Sequence, residues 1–196
     1  MAVYAIIPAR GGSRRIPKKN IIDFLGKPLI AYSIEIARAS AVFEKIYVST
    51  ENYDIAEIAE TYGAEVAWRD VQMCVDNVGT YRVMRADVLR LKLPPESIAC
   101  CIYATAPLMS ATDLKYGLEA LARGKHAIAI GRDPLRDAAQ FYYSRVEALT
   151  SYIAYWDIDT VPVPIEEERI CDINVMEDLE RAKIMFGRLQ EKEEPR

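Results

Sequence analysis

Val3-Tyr4-Ala5-Ile6-Ile7-Pro8-Ala9-Arg10-Gly11-Gly12-Ser13-Arg14-Arg15-Ile16-Pro17-Lys18-Lys19-Asn20 runs from an unbroken apolar stretch straight into a turn of glycines and cations. Residues 3–7 predict a strand covered on both faces. Gly11 and Gly12 can take φ > 0 and let a ligand come close to the main chain. Successive N–H groups in such a turn make an anion-binding concavity, and Ser13 adds a hydroxyl. Arg10, Arg14, Arg15, Lys18 and Lys19 supply planar forks and mobile point charges that match phosphate oxygens. Together these parts suit a triphosphate. Basic residues alone would read as a solvated loop; the glycines, the serine and the place directly after the first strand favour a site. Neither G-x-x-x-x-G-K-[ST] nor G-x-G-x-x-G occurs, so this is neither a Walker A loop nor a dinucleotide fingerprint.

Outward from this stretch, strands alternate with helical periods. Residues 29–39 place Ile30, Ile34 and Ala37 at helical spacing, and 45–49 are β-branched and aromatic, hence a strand. Residues 54–62 form a helix closed by Gly63, and 64–68 a brief strand. A helix over 78–93 ends before Pro94-Pro95. Residues 98–104 read as a central buried strand, followed by a helix over 113–123 capped by Thr112 and stopped by Gly124. Further strands are expected at 127–130, 140–146 and 169–173, with 161–165 an edge strand because of Pro162 and Pro164. Residues 152–159 are ambiguous. A charged terminal helix covers 175–189, and 190–196 read as a frayed tail. The alternation predicts an α/β fold: one domain over 1–196 with α/β/α layers and a mostly parallel sheet. Ligands then bind beyond the carboxyl ends of the strands, in the loops after Ile7, Ala104 and Ile173.

Composition narrows the function. The chain has 196 residues, 51% of them hydrophobic, and a net charge of -4. An acidic balance argues against a nucleic-acid partner, which makes the local cluster of cations more telling. No stretch reaches the roughly 18 apolar residues of a membrane helix, and the start lacks the basic region of a signal peptide. The four cysteines, Cys74, Cys100, Cys101 and Cys171, and the single His126 fit no zinc spacing. Reduced thiols in the cytoplasm are the expectation.

Residues 7–20, with Gly26-Lys27-Pro28-Leu29 and Ala31-Tyr32-Ser33-Ile34, closely resemble the opening of the acylneuraminate cytidylyltransferases (CMP-sialic acid synthetases), and most of all their pseudaminic acid branch. The resemblance implies a Rossmann-like nucleotide-diphospho-sugar transferase fold. It implies transfer of CMP from CTP to a nonulosonic acid sugar with release of pyrophosphate, in a cytoplasmic homodimer that uses Mg²⁺. Arg10, Gly11, Gly12, Ser13, Arg14 and Asn20 would bind the nucleotide, and Lys19 would act on the phosphates. Ile102-Tyr103-Ala104-Thr105-Ala106-Pro107 is similar to a motif of the pseudaminic branch, with Thr105 toward the nucleotide and Tyr103 toward the sugar. Asp137-Ala138-Ala139-Gln140-Phe141-Tyr142 resembles Asp-Ala-Gly-Gln-Phe-Tyr, which puts Gln140 and Phe141 in the sugar pocket. Asp172-Ile173-Asn174 resembles the Mg²⁺-holding Asp-Ile-Asp, so Asp172 and Asn174 would hold the metal and Asp172 would also serve catalysis. Val48-Ser49-Thr50-Glu51 resembles Val-Ser-Thr-Asp.

The residues have other readings. Phe141-Tyr142-Tyr143 also suits an aromatic strand on the core. Asn174 also suits the N-cap of the last helix, with Glu177 completing a capping box. Ala139 stands where the family has glycine, and Asn174 where it has aspartate. At 131–136 the chain has a short loop where family members carry a longer segment of the sugar and dimer region. Two rivals follow: a sugar-activating nucleotidyltransferase of other specificity, and a nucleotide-binding or assembly protein without transfer.

Overall fold

The computed structural model describes residues 1–151 and 159–193. Its centre is a seven-stranded sheet of β1 (Val3–Pro8), β4 (Lys45–Thr50), β5 (Glu65–Trp68), β6 (Ile98–Ile102), β7 (His126–Arg132), β8 (Leu135–Arg145) and β9 (Thr160–Pro164). The spatial order is β5-β4-β1-β6-β8-β7-β9, and only β8 runs against the rest. Side chains alternate across the sheet with the two-residue period of a strand. Ala5, Ile7, Cys100 and Ile102 join one core with α1 (Leu29–Ser40), α2 (Tyr53–Thr61) and α4 (Ala111–Ala120). Tyr4, Ile6, Ala99 and Cys101 join the other with α3 (Thr80–Arg90) and α5 (Val146–Thr150). This is the expected three-layer α/β/α arrangement. No helix among the described residues is long and apolar enough to cross a membrane.

A third, smaller core matters more for function. Ile16 and Ile22 from the first loop, Phe24 from a short hairpin of β2 (Asp23–Phe24) and β3 (Lys27–Pro28), and Leu29 and Tyr32 of α1 pack on Cys171, Ile173 and the last helix, α6 (Met176–Glu193). Phe24, Tyr32 and Phe186 meet edge to face at 5.1–5.7 Å, the arrangement their ring quadrupoles favour. The hairpin turn places Leu25 at φ 52° and Gly26 at φ 87°. This cluster seats the end of the chain beside its beginning.

Several local expectations are corrected. The cap of α4 is Ser110, not Thr112: the Asp113 N–H donates to its hydroxyl at 3.1 Å, and Asp113 Oδ2 accepts from the Ser110 N–H at 3.1 Å. The helix α3 is shorter than 78–93, and β8 begins five residues before Gln140 at Leu135. Residues 131–136 are therefore no loop: β7 and β8 pair up to Arg132 and Leu135, joined by Asp133-Pro134 alone. No strand forms at 169–173, where a 3₁₀ turn over Glu167–Arg169 leads into extended chain. The last helix continues through residues 190–193, expected to fray. The ambiguous residues 152–159 fall almost wholly outside the described ones.

Candidate active site

At the carboxyl ends of β1 and β6 lies a cleft of about 590 Å³, a volume usual for small-molecule sites. Arg10, Ser13, Arg14, Arg15, Lys19 and Asn20 of the first loop line it together with Met73, Val78, Thr80, Val83, Tyr103 and Thr105. The cleft thus gathers most of the residues expected at the nucleotide, together with Tyr103. Its lining combines the cations of the first loop with apolar and hydroxyl side chains.

Long-range bonds give the basic loop its shape. The Asn20 amide is buried and donates to the Arg10 carbonyl at 2.9 Å, drawing the two ends of the loop together. Arg10 donates to the Cys74 carbonyl at 3.1 Å and pairs with Asp76, which also pairs with Arg14 at 3.4 Å. Arg10 holds the Asp76 carboxyl below the usual carboxylate range. Lys18, at φ 52°, turns away to Asp54 at 2.9 Å. Lys19 Nζ donates to the Ile173 carbonyl at 2.8 Å. Burial pushes its pKa down, Asp172 pulls it up, and Arg15 and Arg10 lower it further.

Two of the main-chain donors expected in an anion nest, those of Gly11 and Ser13, turn inward. The Gly11 N–H donates to Glu51 at 2.7 Å and the Ser13 N–H to the Gly11 carbonyl at 3.1 Å, so both donors are spent within the protein. A Cβ on Gly11 would lie 2.7 Å from Asn52 Nδ2, so glycine here permits close packing against the cap of α2. Gly12 has open space around it. Neither glycine lines the cleft. Positive side chains, rather than main-chain amides, dominate this wall.

The sugar residues separate. Tyr103 faces the cleft, but Phe141 is 0% exposed and packs among Tyr143 and the α4 glycine, where a Cβ on Gly117 would come within 2.5 Å of its ring. Phe141 is a core side chain, because a strand residue beside Tyr143's face of the sheet points into that core. Gln140 is 2% exposed and donates to the Arg169 carbonyl at 2.6 Å, so it too is interior. Ala139 takes φ 49° at a register shift between β7 and β8, a left-handed backbone that glycine adopts more readily than alanine.

Asp172 and Asn174 come together without a strand. Asn174 Nδ2 donates to Asp172 Oδ2 at 2.6 Å, while Asn174 Oδ1 accepts from Arg15 at 2.9 Å. The expected Asn174 cap is replaced by Asp178, whose carboxylate accepts from the Asn174 and Val175 N–H groups at 2.9 and 3.0 Å. Those two bonds also hold the Asp178 pKa below the usual carboxylate range. No group of three metal-binding side chains exists among the described residues. Asp172, whose charge acts on Lys19, is one carboxylate that a divalent cation carried mainly by other oxygens could use, although neither it nor Asn174 is among the residues lining the cleft. Asn174, with its carbonyl on Arg15, does not add a second anion.

Sequence reading missed Arg69. Its side chain lines the cleft, is 8% exposed and donates to the Ser49 carbonyl, with Nε given no partner among the described residues. A lone arginine after a short strand carries no local signal; only the fold sets it in the wall.

Comparison with known proteins gives the family of the chain. A family profile described as cytidylyltransferase matches residues 4–182. A pseudaminic acid cytidylyltransferase of Campylobacter jejuni subsp. jejuni serotype O:23/36 is 34% identical over 224 aligned positions, covering 95% of this chain and 97% of that protein. The alignment is longer than this chain, so the relative has residues that this chain lacks. A 3-deoxy-manno-octulosonate cytidylyltransferase of Haemophilus influenzae (strain PittEE) is 30% identical over 83% of this chain and 63% of its own length. Among solved structures, a CMP:2-keto-3-deoxy-manno-octonic acid synthetase complexed with CTP superposes with a TM-score of 0.79 at 14% identity, covering 96% of this chain and 100% of that one. That likeness shows a shared nucleotidyltransferase fold. With the profile spanning most of its length and a relative aligned almost end to end, this chain is a member of the cytidylyltransferase family.

Proposed function

We propose that this enzyme transfers CMP from CTP to a nonulosonic acid sugar of the sialic or pseudaminic kind. A sugar hydroxyl attacks the α-phosphorus, a new P–O bond forms, and the bond to the β-phosphate breaks to release pyrophosphate. The observation that carries this reading is a cleft at the strand ends with Arg10, Arg14, Arg15 and Lys19 on one wall, in a chain of this family.

Charge is the main thing such a reaction asks of the protein. Arginine forks and a lysine, fixed before the substrate arrives, offset the negative charge that builds on the phosphates. Lys19, pinned by the Ile173 carbonyl, belongs nearest the bond being broken. Asn20 keeps Arg10 in place through its carbonyl, and Arg69 and Thr105 belong with the nucleotide. Mg²⁺, held by Asp172, would neutralise phosphate charge and strengthen the α-phosphorus as an electrophile. Asp172, the carboxylate with the largest charge effect on Lys19, is also the candidate the family resemblance offers to receive the hydroxyl proton. Four free cysteines suit the reducing cytoplasm.

The test is pyrophosphate release from CTP and Mg²⁺ across a panel of nonulosonic acids. Turnover with at least one acid, and none with CTP alone, is expected. No release with any of them, from protein that binds CTP, would overturn transfer and favour the binding protein suggested by Asn174.

A further inference from the structure

Three hydroxyls and a carboxylate form a file from the cleft into the sheet. Thr80 Oγ1 lies 2.9 Å from the Tyr103 hydroxyl, which lies 3.2 Å from the Tyr142 hydroxyl, which in turn meets Asp137 Oδ2. The rings of Tyr103 and Tyr142 stand edge to face at 5.5 Å. The other Asp137 oxygen accepts from the Ala139 N–H at 2.8 Å, at the strained turn of β8.

The file has only one consistent direction. An ionised carboxylate accepts and cannot donate, so Tyr142 gives its single proton to Asp137. Tyr142 then has only lone pairs for Tyr103, so Tyr103 donates to Tyr142. By the same step Thr80 donates to Tyr103. Thr80 is left with lone pairs alone, in the wall of the cleft. Burial raises the pKa of both tyrosines, Tyr103 to about 12, so both keep the protons this order needs.

We infer that Asp137, acting through Tyr142 and Tyr103, makes Thr80 an obligate hydrogen-bond acceptor that selects a ligand bringing an N–H or O–H donor to it in the cleft. Asp137 is a positioning residue in this scheme; it touches no substrate. The inference rests on the functional reading above, and two donors share the required chemistry there: the exocyclic amine of cytosine, which uracil replaces with an acceptor, and a hydroxyl of the acceptor sugar. A ligand that offers Thr80 no donor leaves its lone pairs unpaired, which costs the binding of that ligand one hydrogen bond.

The experiment compares Kd for CTP and UTP by calorimetry, and KM for the sugar by pyrophosphate release, in the whole protein and in Thr80→Val, Thr80→Ser, Tyr142→Phe and Asp137→Asn. Thr80→Ser should keep the selectivity of the parent, as it keeps the oxygen. Thr80→Val and Tyr142→Phe should each lower it by about tenfold, the size of one modest hydrogen bond. A fall in the CTP-to-UTP ratio with the sugar KM unchanged identifies the base amine as the donor. A raised sugar KM with the ratio unchanged identifies the sugar hydroxyl. Both quantities unchanged in Thr80→Val and Tyr142→Phe would overturn the inference. If the parent protein binds neither nucleotide, the functional reading itself fails, and this inference with it. Thr80 is only partly buried in the first turn of α3, so its variants retain the fold even if a β8 variant does not.

Discussion

The two walls of the cleft are built in opposite ways. The cationic wall, from Arg10 to Asn20, is an irregular loop whose shape depends on partners far along the chain: Glu51, Cys74, Asp76, Ile173 and Asn174. The hydroxyl-bearing part of the lining draws Tyr103 from the end of β6 and Thr80 from the first turn of α3, with Tyr142 behind them on β8. One wall offers charge that must be kept apart and aimed. The other offers neutral hydroxyls whose direction is set by hydrogen bonding. The lesson is that charge in a sequence advertises its function locally, whereas a hydroxyl acquires one only from its neighbours.

The sharpest way to separate site from scaffold is Phe141→Ala. As a core residue, it should cost roughly 3–5 kcal/mol, read as a fall in thermal or denaturant stability. The acceptor KM of the folded remainder should stay unchanged; a raised KM at near-normal stability would return Phe141 to the sugar pocket. On the cationic wall, Lys19→Ala should cut turnover by about 10²–10³-fold, the usual result of removing one fixed charge-stabilising donor. Asp172→Ala should do likewise in the presence of Mg²⁺. Normal pyrophosphate release in both would remove the proposed mechanism.

Asp76 gives a smaller test of opposite sign. It already occupies Arg10 and Arg14, so a triphosphate that takes these cations must displace it. Asp76→Asn should therefore bind CTP more tightly, by roughly fivefold at low salt, with the gain shrinking as salt screens the exposed charges. Weaker binding would mean that Asp76 orients the arginines. The same wall has a pH limit: Lys19 has a lowered pKa, so its charge is lost as pH rises toward it, and CTP affinity should fall at a pH below the ordinary lysine value of 10.5. Lys19→Arg should move that fall to higher pH. The smallest effect belongs to Ala139→Gly. Relieving φ 49° should stabilise the protein by about 1 kcal/mol, measured by denaturant unfolding.

Much of the fold is legible along the chain. Unbroken apolar runs such as 3–7 and 98–102 can exist only as strands shielded on both sides, and the amphipathic periods between them supply the shielding. The basic loop was equally plain, because five cations among two glycines leave few other uses. Less legible were Ser110, Asp178 and the early start of β8. A cap competes with its neighbours for the same N–H groups, and a strand of mixed polarity forms only where a partner offers its ladder.

Local pattern and composition thus suffice for the layers, the parallel sheet and the cluster of cations beyond the first strand, since burial and charge density act over a few residues. The meeting of Asp172 and Asn174 with Lys19 and Arg15, the entry of Arg69 into the wall, the retreat of Gln140 and Phe141, and the direction of the Thr80 file were settled by packing. Each depends on groups distant in sequence, and hydrogen bonds act only over a few ångströms. No window on the chain contains both partners until the fold has brought them together.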